Sequence, residues 1–214
     1  MLTLRPYRSA DCTDIRDICI RTAYAGEDAR PHYAEPDLLP EIFAVPYVHF
    51  EPELAFIVAD TDDRAVGYVL GTADTERFVR LFRDEWLPSI AGRYPPLGSE
   101  RQPQTSDDVM RHLLHTPERM LVPDLADYPA HLHIDLLPPY QRAGYGRRLI
   151  AAFIEALAKA GVPAVHLGMV TENAAARAFY DRLGFHVINV PDPGPLTYLG
   201  MRIPANPRTV QAGS

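Results

Sequence analysis

Ile134-Asp135-Leu136-Leu137-Pro138-Pro139-Tyr140-Gln141-Arg142-Ala143-Gly144-Tyr145-Gly146-Arg147-Arg148-Leu149 reads as the end of a strand, a short polar loop and the first turn of a long helix. Upstream, His131, His133 and Asp135 alternate with Leu132, Ile134 and Leu136, so the two sets take opposite faces of one strand. Downstream, the helix runs over 144–160 and a strand over 164–170. A helix over 173–183 follows, then strands near 185–190 and 195–203. Strands alternating with helices predict an α/β fold with a mixed sheet, since the chain also carries hairpins at both ends. Backbone N–H groups of such a loop converge on the positive end of the helix, which suits a phosphate or diphosphate. Gly144 and Gly146 would let a pyrophosphate approach the backbone, and Arg142, Arg147 and Arg148 place cations beside it. The three-glycine dinucleotide fingerprint and the Lys-Ser/Thr of a P-loop are both missing, so this is a different cradle.

The front of the chain supplies the rest of the sheet. A strand over 2–7 precedes a helix that Ser9 would cap, with Ile15, Ile18, Cys19, Thr22 and Ala23 on its apolar face. An amphipathic stretch over 37–50 is interrupted at Pro46. Strands over 54–59 and 65–71 form a hairpin around a polar turn. From Asp74 to Pro129 the pattern is that of a helical insertion. It holds an apolar stripe (Phe78, Leu81, Phe82, Trp86, Leu87) breaking at Pro88, a loop with Pro95, Pro96 and Pro103, and a short helix capped by Thr105 and Asp108. That stripe reads as core rather than as a substrate groove, and His112 and His115 on the short helix read as solvated. One domain over 1–203 with a polar tail over 204–214 is the expected organisation.

Composition narrows the class. The chain has 214 residues, 47% hydrophobic and 23% charged, which fits one ordinary folded domain and excludes a disordered chain. No apolar run approaches the roughly 18 residues of a membrane span, and the N-terminus lacks a signal-peptide pattern, so a cytoplasmic protein is expected. Cys12 and Cys19 read as buried in one helix rather than bridged or metal-bound. A net charge of −7 argues against a nucleic-acid partner and tilts towards cationic ones.

The motif Gln141-Arg142-Ala143-Gly144-Tyr145-Gly146 resembles the pyrophosphate loop of the GNAT acetyltransferases. A second block strengthens the resemblance: Asn173, Ala176 and Tyr180 share one helix face, and Leu183-Gly184-Phe185 ends that helix. Tyr68-Val69-Leu70-Gly71-Thr72-Ala73-Asp74, Trp86-Leu87-Pro88, Tyr94, Arg5-Pro6-Tyr7 and Asp135 further resemble the acetyltransferase-like C-terminal domain of O-GlcNAc hydrolases. The resemblance implies a GNAT fold with a mostly antiparallel mixed sheet. It also implies transfer of an acetyl group from acetyl-CoA to an amine acceptor, a small molecule or a protein lysine, by direct attack.

By that resemblance the pantetheine arm would lie along Leu136 and Leu137. Gln141, Arg142, Ala143, Gly144, Tyr145, Gly146 and Arg147 would hold the pyrophosphate. The thioester carbonyl would meet the N–H of Leu136, Asn173 would bond the pantetheine, and Ala176 would leave room for it. Tyr180 would protonate the departing thiolate. An amine of pKa ~10.4 is protonated in all but roughly one part in 2,500 at neutral pH, so something must accept a proton. Asp135 is the candidate to bind or deprotonate the amine, with Asp74 a second acid in the same cleft. No metal is expected: His131, His133 and Asp135 read as satisfied groups beside a cleft more readily than as zinc ligands. A homodimer is compatible with the insertion. The rival reading is a non-catalytic acyl-CoA-binding or peptide-binding module on the same fold.

Overall fold

The computed structural model describes residues 2–98 and 102–204. Seven strands form one sheet: β1 (Thr3–Pro6), β2 (Phe56–Ala59), β3 (Ala65–Thr72), β4 (Ala130–Leu136), β5 (Ala164–Val170), β6 (His186–Ile188) and β7 (Leu196–Arg202), in the spatial order β1-β2-β3-β4-β5-β7-β6. Every neighbouring pair is antiparallel except β4 and β5 at the centre. The expected mixed, mostly antiparallel α/β sheet is what the chain adopts.

The helices are α1 (Cys12–Thr22), α2 (Leu38–Phe43), α3 (Val45–Phe50), α4 (Thr75–Leu81), α5 (Leu87–Ile90), α6 (Ser106–His115), α7 (Tyr145–Lys159) and α8 (Ala174–Leu183). On the face that carries His131, His133 and Asp135, the sheet meets α1, α3 and α4, the last two through the buried Tyr47 and Phe78. The other face is covered by α7, whose apolar stripe of Leu149, Ile150, Phe153 and Leu157 is fully withdrawn from water.

Several local expectations need correcting. Ser9 does not cap α1: it lies in a 3-10 turn, Ser9–Asp11, and the carboxylate of Asp11 takes the N–H of Arg8 instead (2.7 Å). The break between α2 and α3 falls at Ala44 (φ −136°, ψ −61°), and Pro46 sits in the first turn of α3, where a missing N–H costs nothing. Pro88 likewise does not end its helix. A π-helical turn, Phe82–Trp86, leads into α5, and Pro88 occupies the first turn of that helix. His112 is exposed as expected, but His115 is half-buried with Nε2 on the carbonyl of Tyr94 (2.7 Å).

The segment between β3 and β4 leaves and returns at one point, where Thr75 gives both its N–H (2.8 Å) and its hydroxyl (2.7 Å) to the carbonyl of Pro129. Phe78, Phe82, Trp86 and Leu87 join the same apolar core as the sheet, and the Trp86 indole N–H donates to Glu41 O (2.8 Å). Thr105 and Asp108 form the expected capping box at α6. Of the tail expected over 204–214, all but the first residue lies outside the described residues.

Candidate active site

β4 and β5 pair only at their first residues, Ala130 with Val165 and His131 with His166. Beyond that point β4 stays on β3 and β5 stays on β7, so the two parallel strands part and leave a gap in the middle of the sheet. Burial follows the parting: Ala130 to Leu132 are buried, and His133 to Leu136 are partly open. Leu137 N–H donates to Val66 O across β3 (3.0 Å). Strand alternation therefore turns the N–H and C=O of Leu136 the other way, into the gap. Gln141 Nε2 donates to Leu136 O (2.8 Å), which leaves the neighbouring N–H bare. The side chain of Gln141 is thus committed to the strand, and it locks the loop in place rather than reaching outward.

The loop closes the mouth of the gap. Arg142 (φ 60°) and Gly144 (φ 84°) are both left-handed, and α7 begins directly after Gly144. Among the described residues, the N–H groups of Arg142, Ala143, Gly144, Tyr145, Gly146 and Arg147 have no intramolecular acceptor. The last three are the ordinary unpaired donors of a helix start, at the positive end of its dipole. The two glycines serve different needs. Gly144 supplies the left-handed turn, with nothing near its absent Cβ, whereas a Cβ on Gly146 would lie 3.1 Å from the Phe179 ring. Close packing of α8 on the start of α7 is therefore what requires Gly146. Arg142 and Arg147 are exposed and carry no carboxylate partner among the described residues.

α8 brings its own residues to the gap. Asn173 caps it, its Oδ1 accepting from Ala176 N–H (2.9 Å), which leaves only the amide NH₂ of Asn173 for another partner. At the other end Gly184 is left-handed (φ 89°); its N–H bonds Asp181 O (3.1 Å) while Phe185 N–H bonds Tyr180 O (3.1 Å). That is the Schellman pattern, and its apolar contact is the Tyr180–Phe185 ring pair at 5.4 Å. Leu183-Gly184-Phe185 thus fixes the Tyr180 ring. The Tyr180 hydroxyl has no hydrogen-bond partner among the described residues; burial raises its pKa, and the charge of Asp135 raises it further.

Asp135 accepts a 2.7 Å hydrogen bond from the hydroxyl of Tyr68, its register partner on β3. Desolvation lifts the Asp135 carboxyl to about 6, against the downward pull of Tyr68 and of the Thr22 hydroxyl. Tyr68 was not legible as a site residue, because the register that sets it opposite Asp135 is not written in either strand alone.

Asp74 is not in the same place. It is exposed and caps α4 by accepting from Arg77 N–H (2.9 Å). Thr72 pairs with His131 and Tyr68 with Asp135, so Asp74 lies beyond the far end of β4 from the gap. His131 and His133 are satisfied: Nδ1 of His131 meets Thr75 Oγ1 (2.8 Å), and the Tyr47 hydroxyl meets Nε2 of His131 (2.8 Å) and of His133 (3.1 Å). Burial holds both rings below their usual pKa, His133 at about 4. Among the described residues no group of three or more His, Cys, Asp or Glu side chains is placed to hold a metal ion, and no helix is long and apolar enough to cross a membrane.

A sheet parted between its two parallel central strands, with bare backbone donors at the mouth of the gap, defines a domain of the acetyltransferase class. The chain belongs to the GNAT acetyltransferase family: the Acetyltransferase (GNAT) family profile matches residues 119–185. The crystal structure of SsHAT is 58% identical, with a TM-score of 0.91, over 95% of this chain and 98% of that one. Protein O-GlcNAcase of Rattus norvegicus is 22% identical over 184 residues, which are 85% of this chain and 20% of that protein, so the chain spans about a fifth of this curated relative. YncA of Salmonella typhimurium, solved with its cofactor acetyl-CoA, shares the fold at a TM-score of 0.53 and 17% identity, over 96% of each chain.

Proposed function

We propose that the chain transfers an acetyl group from acetyl-CoA to an amine by direct attack in a ternary complex. The observation that carries this reading is the parting of β4 from β5 just after His131, which ends at six unpaired N–H groups. The bare edge of β4 has the donors and acceptors to pair with the amides of a pantetheine arm, and the N–H groups of residues 142–147 suit its pyrophosphate. The Asn173 amide NH₂ and the small Ala176 face the same arm. Acetyl-CoA supplies an activated acyl carbon, and the N–H of Leu136 stabilises charge developing on its carbonyl oxygen.

Asp135 stands one residue before that N–H and accepts a proton from the attacking amine. Tyr180 gives its proton to the departing thiolate. Its raised pKa makes it a weaker acid than a free phenol, but a thiolate in the same desolvated site is a stronger base for the same reason, as burial shows at the thiol of Cys19. The two groups also help one another. Once Asp135 has taken the amine proton its charge is gone, and with it part of what holds the Tyr180 proton in place.

Calorimetric titration with acetyl-CoA tests the cofactor site. Wild-type protein binds, and the double charge reversal Arg142→Glu/Arg147→Glu, on exposed and unpaired side chains, weakens binding at least tenfold, more so at low salt. Failure of the wild type to bind, or indifference to the reversal, overturns the reading.

A further inference from the structure

Arg119 lies in a 3-10 turn, Pro117–Met120, ahead of β4, and its Nε is fully buried without a hydrogen-bond partner. Its guanidinium makes no hydrogen bond or ion pair with any described residue. The adjacent carboxylate is unavailable, since Glu118 is held by Arg83. Among the described cations, Arg119, Arg142, Arg147, Arg148 and Arg182 lack a carboxylate partner. The last four are exposed, and three of them flank the anion cradle; Arg119 is the one withdrawn from solvent. Burying a guanidinium without a counter-ion is costly, and the folded chain supplies none.

Position gives the orphan charge a meaning. Arg119 presses on His131, His133, Tyr47 and Tyr198, whose ionisation its charge perturbs. His133 stands two residues from Asp135 on the same face of β4, roughly 7 Å along the strand. From β7, Tyr198 pairs with Gly168 of β5, and its ring lies 3.3 Å from where a Cβ on Gly168 would stand, leaning over β5. Arg119 therefore sits on the Asp135 face of the parted strands, among neutral rings that can donate hydrogen bonds but cannot balance its charge.

We infer that the acceptor carries an oxyanion, a carboxylate or a phosphate, on the same molecule as its amine, and that Arg119 binds it while Asp135 receives the amine. This specifies the acceptor left open by the acetyl-transfer reading and rests on it. It also runs against the overall acidity of the chain, which by itself would favour purely cationic acceptors.

The test pairs acceptors that differ only in the oxyanion: glucosamine 6-phosphate against glucosamine, and L-alanine against L-alaninamide. Each is titrated calorimetrically into protein saturated with CoA, then assayed for acetylation. In at least one pair the oxyanion-bearing member binds about tenfold or more tightly to wild type, the size expected of a charge-assisted hydrogen bond. Arg119→Met, which keeps the apolar stem, abolishes that preference and leaves CoA affinity and thermal stability intact. Arg119→Gln is the second variant should Met not fold. No preference in either pair, or a preference that survives both substitutions, overturns the inference. Arg119-dependent binding without any acetylation leaves the anion site standing and removes the transfer reading instead.

Discussion

Burial acts on Asp135 and Tyr180 in the same direction, raising both, yet the chemical consequences differ. A carboxyl lifted to about 6 is still mostly ionised at neutral pH and is a better base than an ordinary aspartate, while a tyrosine raised above 10 simply stays protonated and ready to donate. The sign of the pH dependence follows. Asp135 works ionised, so kcat/KM rises as pH climbs through about 6 and levels off with respect to that group. Asp135→Asn removes the limb and lowers kcat/KM roughly 10²-fold, and Tyr180→Phe lowers kcat on the order of 10²-fold with acetyl-CoA affinity unchanged. Turnover of a true acceptor that is indifferent to both substitutions means a binding module rather than an enzyme. Tyr68 refines the test. Its hydrogen bond favours the ionised carboxylate, so Tyr68→Phe moves the limb upward by roughly one pH unit instead of abolishing it.

At the level of elements, α8 is positioned by two glycines that it does not itself contain. Gly184 closes it with the Schellman turn that presses Phe185 onto Tyr180, and Gly146 admits Phe179 against the start of α7. Gly146→Ala sets a methyl 3.1 Å from Phe179 and pushes the two helices apart exactly where cradle and Tyr180 must cooperate. The expected outcome is a loss of about 1–2 kcal/mol in stability with weaker acetyl-CoA binding, both relieved by adding Phe179→Leu. A double variant no better than the single one would show that the ring is not what Gly146 makes room for. These helices and the loop between β4 and α7 were legible because glycine, the cap residues and the 3.6-residue period act within a few positions of one another. The pairing of Tyr68 with Asp135 was not, because it depends on register between strands more than sixty residues apart. Asp74 was misplaced for the same reason: an acid at the end of β3 is near or far from Asp135 according to which way the strands are aligned. Pro88 misled differently, since a proline that stops a continuing helix also starts a new one, and only the π turn before it decides.

Across the whole molecule, the unmatched protonation sites lie in the middle of the sheet, where they make stability depend on pH. His131, His133 and His166 are all held below the usual histidine value, chiefly by desolvation, and His133 reaches about 4. Their unfolded pKa is about 6.5, so as pH falls below that value the unfolded chain takes up protons that the folded chain refuses, and stability is lost. Asp135 works against them. Its folded pKa of about 6 exceeds the unfolded ~3.9, so the folded chain binds its proton first and gains stability over the same fall. Each group can contribute at most about 1.4 kcal/mol per pH unit, and three histidines outweigh one aspartate. Tm should therefore drop as pH is lowered from 6.5 towards 4. Exposed carboxylates held below their usual range by arginines, such as Asp28 and Asp63, add their loss only at still lower pH. Two variants separate the opposing terms in a series of melts at fixed ionic strength. His133→Gln flattens the fall, and Asp135→Asn steepens it by removing the group that opposes it. If Asp135→Asn flattens the curve instead, the carboxyl is ionised more readily in the folded protein than in the unfolded chain, and its role as a base poised near 6 goes with it.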